Sequence, residues 1–530
     1  MKKWRIMKRI MFLGLLGLLL FGCQKDNIVT IDPVMVDGTD DDINNTTFTQ
    51  TVYVTFFESS NASVTSANED FNVVVNGNHV TVVYSGDEYV MYELTGTTTN
   101  GAFKLYSNKK QALTLTGLNL TNPNGAAINV QGTMSDPSKG KHTFVVMNGE
   151  NSLADGTDYS VTPTGEDEKG TFFSEGQLVF SGDGSLIVKA LGKSGIVSDD
   201  YVTVNGGTIH VAVTSGVYYD DEDAEYKSTA CIKANDYVKM VSGSLDITNS
   251  GTGGKGISCD GNGYFMGGIT TVTVTGSNYG SSGGGGFPGG GNNNTNSKSA
   301  KAIKFDGNLV FSGGKVVANS TAHEGIEAKG TIAISGGEIY SYSQSDDAIN
   351  SGGNFTISGG HVYGHSASND GLDANGNCYI KGGVVFAIGK SSPEVAVDAN
   401  TEGGYKLYVE GGTLIAIGGL ENNSSLTQNC YQASSWSQNM WYALTVGSVT
   451  YAFKTPSSGG TPLVVSGAST PTLTSNVTVS GGTEYFEGLF YEGATVSGGS
   501  SVSLSSYTGG NGGGGPGGGG GPGGGGHGPF

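Results

Sequence analysis

The sequence predicts an all-β protein whose main body is a parallel β-helix. Short segments in which apolar and polar residues alternate are joined by a recurring Gly-Gly turn, and the spacing of apolar residues is two rather than 3.6. The second glycine of these turns recurs at one constant interval and then once after a longer one: Gly314, Gly337, Gly360, Gly383 and Gly412. An antiparallel β-sandwich is the alternative, but it would not place like residues at a fixed offset, as stacked coils do.

The first 22 residues are typical of the signal peptide of a bacterial lipoprotein. Five basic residues precede an apolar run from Ile10 to Phe21, which is shorter than the ~20 residues that cross a bilayer. The run ends at Gly22 and Cys23, similar to a lipobox, so we expect Cys23 to carry a lipid anchor. An ordinary signal peptide followed by a chance cysteine is the alternative.

The rest of the chain divides into four regions by composition. Residues 23–47 are polar and acidic, which predicts a flexible tether for export to the surface of the outer membrane. The repeats predict a β-helix over 48–419, and further strands over 420–508 would cap its open end. Residues 509–530 are nearly all glycine and proline, which predicts a disordered tail.

Charge excludes one class of partner. The chain carries 27 Lys and Arg against 47 Asp and Glu, and its formal net charge is −20. Nucleic acid binding requires a cationic surface, so no nucleic acid partner is expected. An acidic protein can still bind an acidic ligand when a metal ion bridges the two.

Acidic residues recur at matching places in the repeats. The strands before the Gly-Gly turns align on a column of apolar residues: Ile303, Ile326, Ile349, Leu372 and Val397. Around this column the alignment stacks three sets of acidic residues: Glu324, Asp347 and Asp370; Glu327, Asp373 and Asp398; Asp346 and Glu394. Facing carboxylates repel, and calcium, which takes about six to eight oxygen ligands, would offset the repulsion. A solvated acidic edge, or pairing with Lys301 and Lys304, is the alternative.

These motifs resemble a known family. The sequences EGIE, DDAIN and DGLD in successive repeats, each followed by a strand and a Gly-Gly turn, are similar to those of the bacterial carbohydrate-binding β-helix family related to pectate lyases. The resemblance implies a right-handed parallel β-helix, calcium held between coils, and binding of plant-type or acidic polysaccharides. Carried over by position, it implies a metal region formed by Glu324, Glu327, Asp346, Asp347, Asp370 and Asp373. Asn350 and Ala348 depart from the pattern and leave the number of ions open.

A second column predicts the sugar-binding surface. Residues that follow the Gly-Gly turns alternate inward and outward, and the outward positions include several rings: Tyr340, Tyr342, Tyr363, His365 and Phe386. An exposed aromatic ladder could stack on the rings of a sugar chain. The alternative is that another part of the chain packs over this stripe.

The residues favour a binding protein over an enzyme. The chain has no arginine after Arg9, so neither an arginine base nor an Arg-x-Lys clamp can be built. A lyase that uses Lys304 as its base survives as an alternative, although neighbouring carboxylates favour the protonated lysine. We therefore expect a cell-surface lipoprotein that binds polysaccharide with the help of calcium. A surface adhesin without sugar specificity is the other alternative.

Overall fold

Extended strands make up almost all of the regular structure. The computed structural model describes residues 41–509 except 66–67, 137–140, 160–165, 221–222 and 281–296. Within this part of the chain the only helices are two 3₁₀ turns, Ile43–Asn45 and Thr401–Gly403, and the predicted all-β class is confirmed. No helix among these residues is long and apolar enough to cross a membrane. The signal peptide, Cys23 and the tail from 510 onwards lie outside the described residues.

The first part of the described chain leads from the N-terminal strands to the start of the repeats. In chain order its strands are β1 (Gln50–Phe56), β2 (Ser63–Thr65), β3 (Phe71–Asn76), β4 (Asn78–Tyr84), β5 (Val90–Thr98), β6 (Gly101–Tyr106), β7 (Gln111–Asn122), β8 (Ile128–Gln131), β9 (Thr143–Asn148), β10 (Glu150–Asp155), β11 (Gly170–Ser174), β12 (Leu178–Gly182), β13 (Ser185–Ala190), β14 (Ser194–Ser198) and β15 (Tyr201–Val213).

The central part contains the repeats. Its strands are β16 (Tyr218–Asp220), β17 (Glu225–Lys227), β18 (Ala230–Ala234), β19 (Tyr237–Asn249), β20 (Lys255–Cys259), β21 (Asn262–Phe265), β22 (Ile269–Val274), β23 (Lys301–Phe305), β24 (Leu309–Ser320), β25 (Ile326–Ala328), β26 (Ile332–Ser343), β27 (Ile349–Ser351), β28 (Phe355–Ile357), β29 (His361–Ser366), β30 (Leu372–Ala374), β31 (Cys378–Ile380), β32 (Val384–Ile388), β33 (Leu407–Val409) and β34 (Thr413–Ile417).

The last part closes the chain with mostly antiparallel pairs. Its strands are β35 (Ser425–Leu426), β36 (Cys430–Ala433), β37 (Trp441–Val446), β38 (Val449–Lys454), β39 (Leu463–Ser466), β40 (Thr472–Tyr485), β41 (Phe490–Val502) and β42 (Leu504–Tyr507). Strands β37, β38, β41 and β40 form a closed barrel, which we call the C-terminal barrel.

Parallel pairing between neighbouring repeats organises two sheets. Among the described residues, the smaller sheet has 12 strands and runs from β3 to β30, and the larger sheet has 24 strands. In the smaller sheet Ile303 pairs with Ile326, Ile326 with Ile349, and Ile349 with Leu372, always with parallel strands. These side chains are fully buried, and they share one apolar core with side chains of the larger sheet such as Ile339.

The Gly-Gly turns require glycine at their second position. From Gly314 to Gly412 the backbone φ at this position lies between +76° and +88°, a region that residues with a Cβ rarely adopt. At Gly360 a Cβ would also lie 2.8 Å from the carbonyl oxygen of Gly337 in the preceding repeat. The glycine spacing therefore reflects both the turn conformation and the close approach of stacked turns.

The C-terminal barrel covers part of the outward face of the larger sheet. Tyr363 and Phe386 project outward from β29 and β32. They join a buried cluster with Phe453 of β38 and with Phe486 of the turn between β40 and β41. The ring centroids of Phe386 and Phe453 are 5.4 Å apart, and those of Tyr363 and Phe486 are 5.5 Å apart. The predicted terminal strands are therefore present. They pair with the end of the larger sheet, and the C-terminal barrel also packs on its outward face.

Asp41 and Ile43, which the sequence assigns to the flexible tether, instead pack on the larger sheet. The Asp41 side chain is 3% exposed, and its carboxylate accepts hydrogen bonds from the Tyr201 hydroxyl at 2.7 Å and the Lys239 ammonium group at 3.0 Å. Ile43 packs against the buried patch that contains Phe144. A buried carboxylate needs such partners, and these partners hold the segment in place.

Truncation of Phe386 tests whether the C-terminal barrel packs on the larger sheet. Phe386→Ala removes a fully buried ring, so we expect a loss of about 3–5 kcal/mol in the free energy of unfolding, measured by urea denaturation. Phe57→Ala is the matched control, because Phe57 is 40% exposed and its truncation should change stability by less than about 0.5 kcal/mol. Equal effects of the two substitutions would contradict this packing.

Candidate metal centre

The acidic columns lie on the outward side of the short strands of the smaller sheet. Strands β25, β27 and β30 each have three residues, with the outer two buried and the middle one pointing out. Pairing places Glu327, Asn350 and Asp373 at these middle positions. Single bridges continue the ladder from Leu372 to Val397 and then to Leu420. The register therefore brings acidic side chains of successive repeats next to one another.

Two of the predicted metal residues are neutralised by a lysine. The Lys301 ammonium group lies 3.0 Å from a carboxylate oxygen of Glu324 and 2.6 Å from one of Glu327. The side chains of Lys301, Glu324 and Glu327 are 11%, 8% and 13% exposed, so solvent screens these pairs little. This pairing is the alternative that the sequence left open, and it leaves this end of the column with little need for a metal ion.

A histidine compensates the next carboxylate. His323 contacts both Glu324 and Asp346, the latter at 2.7 Å. Burial alone would lower the pKa of His323, but its hydrogen bonds to Asp346 and Glu324 outweigh burial and raise the pKa to about 9. Burial likewise acts to raise the pKa of Asp346 and Glu324, but His323 brings both below their usual values. At neutral pH this group is a set of ion pairs.

The following repeats hold carboxylates without such partners. Asp347 and Asp370 are 5% and 8% exposed, and burial together with the nearby Asp373 carboxylate raises the pKa of each to about 8. Both accept hydrogen bonds from neutral donors: Asp347 from the Asn350 amide at 3.0 Å, and Asp370 from the Val395 backbone N–H at 2.6 Å. Among the described residues, no lysine or histidine forms an ion pair with either carboxylate.

Three carboxylates converge at the end of this column. Asp370, Asp373 and Asp398 each offer an oxygen within 4.8 Å of the others. Burial raises the pKa of Asp373, and burial with the hydrogen bond to Glu421 raises that of Asp398. We call Asp347, Asp370, Asp373, Asp398 and Glu421 the carboxylate cluster.

The donor chemistry of the carboxylate cluster fits a hard divalent cation. Without a cation the cluster must either bind protons or keep several buried negative charges together, and the raised pKa values express that conflict. Calcium prefers carboxylate and amide oxygens at flexible sites. The Asn350 amide nitrogen donates hydrogen bonds to Asp347 and Asp373 and so holds these two carboxylates next to each other. The residues present therefore fit calcium, with Asp370, Asp373 and Asp398 as the central donors.

Glu421 belongs to the carboxylate cluster but is not among the residues that the sequence predicts. It follows Leu420, which pairs with Val397 by an isolated bridge, so it stacks on Asp398. Glu421 follows Asp398 by the same interval that separates Gly383 from Gly360, and this interval was the available signal. The longer spacing from Gly383 to Gly412 in this repeat obscured it.

The predicted aromatic ladder is not exposed as expected. Tyr363 is 2% exposed and Phe386 is fully buried, because the C-terminal barrel packs on them. Tyr340 is half-buried and stacks on Tyr363 at 4.8 Å, and Tyr342 contacts His365 edge-on at 5.2 Å. The Tyr363 hydroxyl lies 3.1 Å from Nδ1 of His365, and burial lowers the pKa of His365 to about 4. The exposed-ladder prediction is wrong for Tyr363 and Phe386.

Lysines gather on the same outward face before the acidic repeats. Lys255 is aligned with Lys301 in the neighbouring strand, and its ammonium group donates to the Ser228 hydroxyl at 2.6 Å. Burial and four neighbouring lysines lower the pKa of Lys255 to about 7. Lys304, the base of the lyase alternative, is instead paired with Asp306 at 2.6 Å.

The fold and the site define an all-β protein with an edge of oxygen donors on its smaller sheet. The family described as carbohydrate-binding domain-containing protein matches residues 76–371, more than half of the chain, and the protein belongs to this family. One similar solved structure is a polysaccharide lyase-like protein from C. thermocellum, in a gadolinium derivative. It is 18% identical with a TM-score of 0.35, and the match covers 57% of this chain and 96% of that one. None of the curated proteins matches.

The raised pKa values predict how stability depends on pH without metal. An aspartate whose pKa rises from about 4 in the unfolded chain to about 8 in the folded one binds more protons when folded. The stability that this aspartate contributes to the fold is complete below about pH 4 and is lost as pH rises to about 8. In chelator, the melting temperature should therefore fall as pH rises over this range. Asp370→Asn should reduce this dependence of the melting temperature on pH.

The same substitution should reverse its effect when calcium is present. At pH 8 in chelator, Asp370→Asn should stabilise the fold, on the order of 1–3 kcal/mol, because one buried charge is removed. In calcium it should destabilise the fold, because a donor is lost. Asp346→Asn is the control and should destabilise in both buffers, because Asp346 pairs with His323. An Asp370→Asn effect of the same sign in both buffers would contradict the metal assignment.

Proposed function

We propose that this protein binds an acidic polysaccharide with the help of calcium, on a right-handed parallel β-helix anchored to the outer membrane through lipid on Cys23. The observation that carries the proposal is the carboxylate cluster, which gathers buried acids without a lysine or histidine partner among the described residues, within a carbohydrate-binding family. The parallel pairing of strands in two sheets around one core supports the β-helix. The anchor remains a prediction from the sequence.

A calcium ion in the cluster would link the protein to the carboxylates of the sugar chain. Asp373 and Asp398 are half-buried rather than fully enclosed, so an ion between them would face the surface of the smaller sheet. Calcium takes about six to eight oxygen ligands, more than three carboxylates supply if each gives one oxygen. The remaining positions suit carboxylate and hydroxyl oxygens of a uronate.

The lysines beside the acidic repeats favour an anionic ligand. Lys255 and Lys298 carry no ion pair with a carboxylate among the described residues, although the chain as a whole is strongly acidic. Positive groups that crowd one another in this way are stabilised by an anion. A chain of uronates long enough to reach from the lysines to the cluster would interact with both.

A lysine-base lyase is the second candidate, and Lys255 suits the role of base better than Lys304, which is paired with Asp306. The pKa of about 7 would let Lys255 accept a proton near neutral pH. However, Lys255 is separated from Asp347 by three steps of the ladder, through Lys301 and Glu324, or about 14 Å at ~4.8 Å per step. A base must lie within hydrogen-bond reach of the proton it removes, so binding without cleavage is the better proposal.

Binding should depend on calcium and on Asp370. With polygalacturonate in calcium, Asp370→Asn should weaken binding by at least about tenfold, because even changes outside the ligand shell of a metal site cost about this much. Affinity electrophoresis with and without chelator measures this. Asp183→Asn, at an exposed aspartate, is the matched control and should bind like the original protein. Equal binding by both variants would contradict the role of Asp370 in binding, and no binding to any glycan would favour the adhesin alternative.

Turnover separates the binder from the lyase. Incubation with polygalacturonate and calcium should give no unsaturated product, seen as a constant ultraviolet absorbance, because no lysine among the described residues pairs with the cluster. Lys255→Ala and Lys304→Ala are measured alongside. Product that forms with the original protein and disappears in Lys255→Ala would establish the lyase and overturn the binder.

A further inference from the structure

A cleft lies where the last repeat meets the terminal strands. Its volume is about 710 Å³, which falls in the range of pockets for small ligands. It is lined by residues from five parts of the chain: 392, 393 and 395; 418–420 and 422; 432–436; 461–463; and 506–509. All five segments follow the part of the chain that the family matches, which ends at 371. The cleft therefore lies outside the family-defining repeats. It adjoins the carboxylate cluster, because Glu421 stands between two of its lining residues, Leu420 and Asn422.

Two aromatic side chains in the cleft are held by hydrogen bonds. The indole N–H of Trp436 donates to the carbonyl oxygen of Gly460 at 3.1 Å. The hydroxyl of Tyr507 donates to the carbonyl oxygen of Leu420 at 3.2 Å. Trp436 is half-buried, so part of its ring borders the cleft. A ring fixed in this way can receive the apolar face of a flat ligand with little loss of conformational entropy.

The remaining surface of the cleft combines apolar side chains with neutral polar ones. Asn422, Gln432, Ser434 and Ser435 offer amide and hydroxyl groups, and three of them are exposed. None of the described residues that line the cleft is acidic, basic or a histidine. Amides and hydroxyls can donate and accept hydrogen bonds. A ligand with many hydroxyls, one apolar face and no charge matches both parts of this surface.

We propose that the cleft is a second carbohydrate site, which binds a neutral sugar on Trp436 without calcium. This rests on the proposed function only in that the ligand is again a carbohydrate. The two sites differ in chemistry: the carboxylate cluster suits uronates through a cation, whereas the cleft suits neutral sugars through ring stacking and neutral hydrogen bonds. A polysaccharide with charged and neutral stretches could then occupy both.

Tryptophan fluorescence tests the site in the full chain without its signal peptide. Neutral β-linked oligosaccharides of glucose, xylose and galactose are titrated in chelator. The original protein should change its emission, and Trp436→Phe should abolish that change. Trp441→Phe is the matched control, because Trp441 packs on Tyr491 in the C-terminal barrel and its loss should leave the change intact.

Affinity gives the second readout. Trp436→Ala should weaken binding of the neutral oligosaccharide by about tenfold, the value of one good ring contact, and Asn422→Ala, at an exposed position, should weaken it less while preserving the thermal melt. Asp183→Asn, at an exposed aspartate, should leave it unchanged. Absence of neutral-sugar binding, or binding that survives Trp436→Ala, overturns this site. Calcium-dependent uronate binding, measured in parallel, reports separately on the proposed function.

Discussion

Parallel pairing between residues one repeat apart is the constraint on which this structure depends. It places each side chain beside its counterpart in the next strand, at ~4.8 Å. Inside, the result is favourable, because Ile303, Ile326 and Ile349 stack into a continuous core. Outside, the same register stacks whatever the repeat presents, including groups that repel. The outward columns therefore need partners, and the identity of those partners differs along the ladder.

The acidic edge shows two solutions to one electrostatic problem. At one end of the column, Lys301 neutralises Glu324 and Glu327. His323 neutralises Asp346, so the carboxylates at this end need no added cation. From Asp347 onward the column has no such cation among the described residues. Substituting lysine in these later repeats would neutralise the charge internally, as Lys301 does. Carboxylates in that position leave room for an ion that can also hold a ligand, which a lysine ammonium group cannot do in the same way.

Periodic features could be predicted from the sequence, whereas long-range packing could not. The all-β class and the alignment of Ile326, Ile349 and Leu372 follow from local alternation and a fixed offset. The burial of Tyr363 and Phe386 depends on side chains far later in the chain, such as Phe453 and Phe486, and no local pattern encodes that contact. Likewise, the acidic composition of residues 41–47 indicates a solvated tether, but Lys239 and Tyr201, far along the chain, give Asp41 a buried site.

The terminal strands determine which surfaces remain available. A parallel sheet that simply stopped would expose unpaired backbone groups. Here β39 pairs antiparallel with β34 and β36 pairs with β39, so the larger sheet ends against strands of the opposite direction. The C-terminal barrel then covers the aromatic stripe beside that end. The barrel covers the larger sheet, whereas the carboxylate cluster lies on the smaller sheet, where Asp373 and Asp398 are half-buried. The join between the last repeat and the terminal strands leaves the cleft at Trp436. With the aromatic stripe covered, two surfaces of different chemistry remain: the carboxylate cluster, which is rich in charge, and the cleft, whose described lining residues carry none.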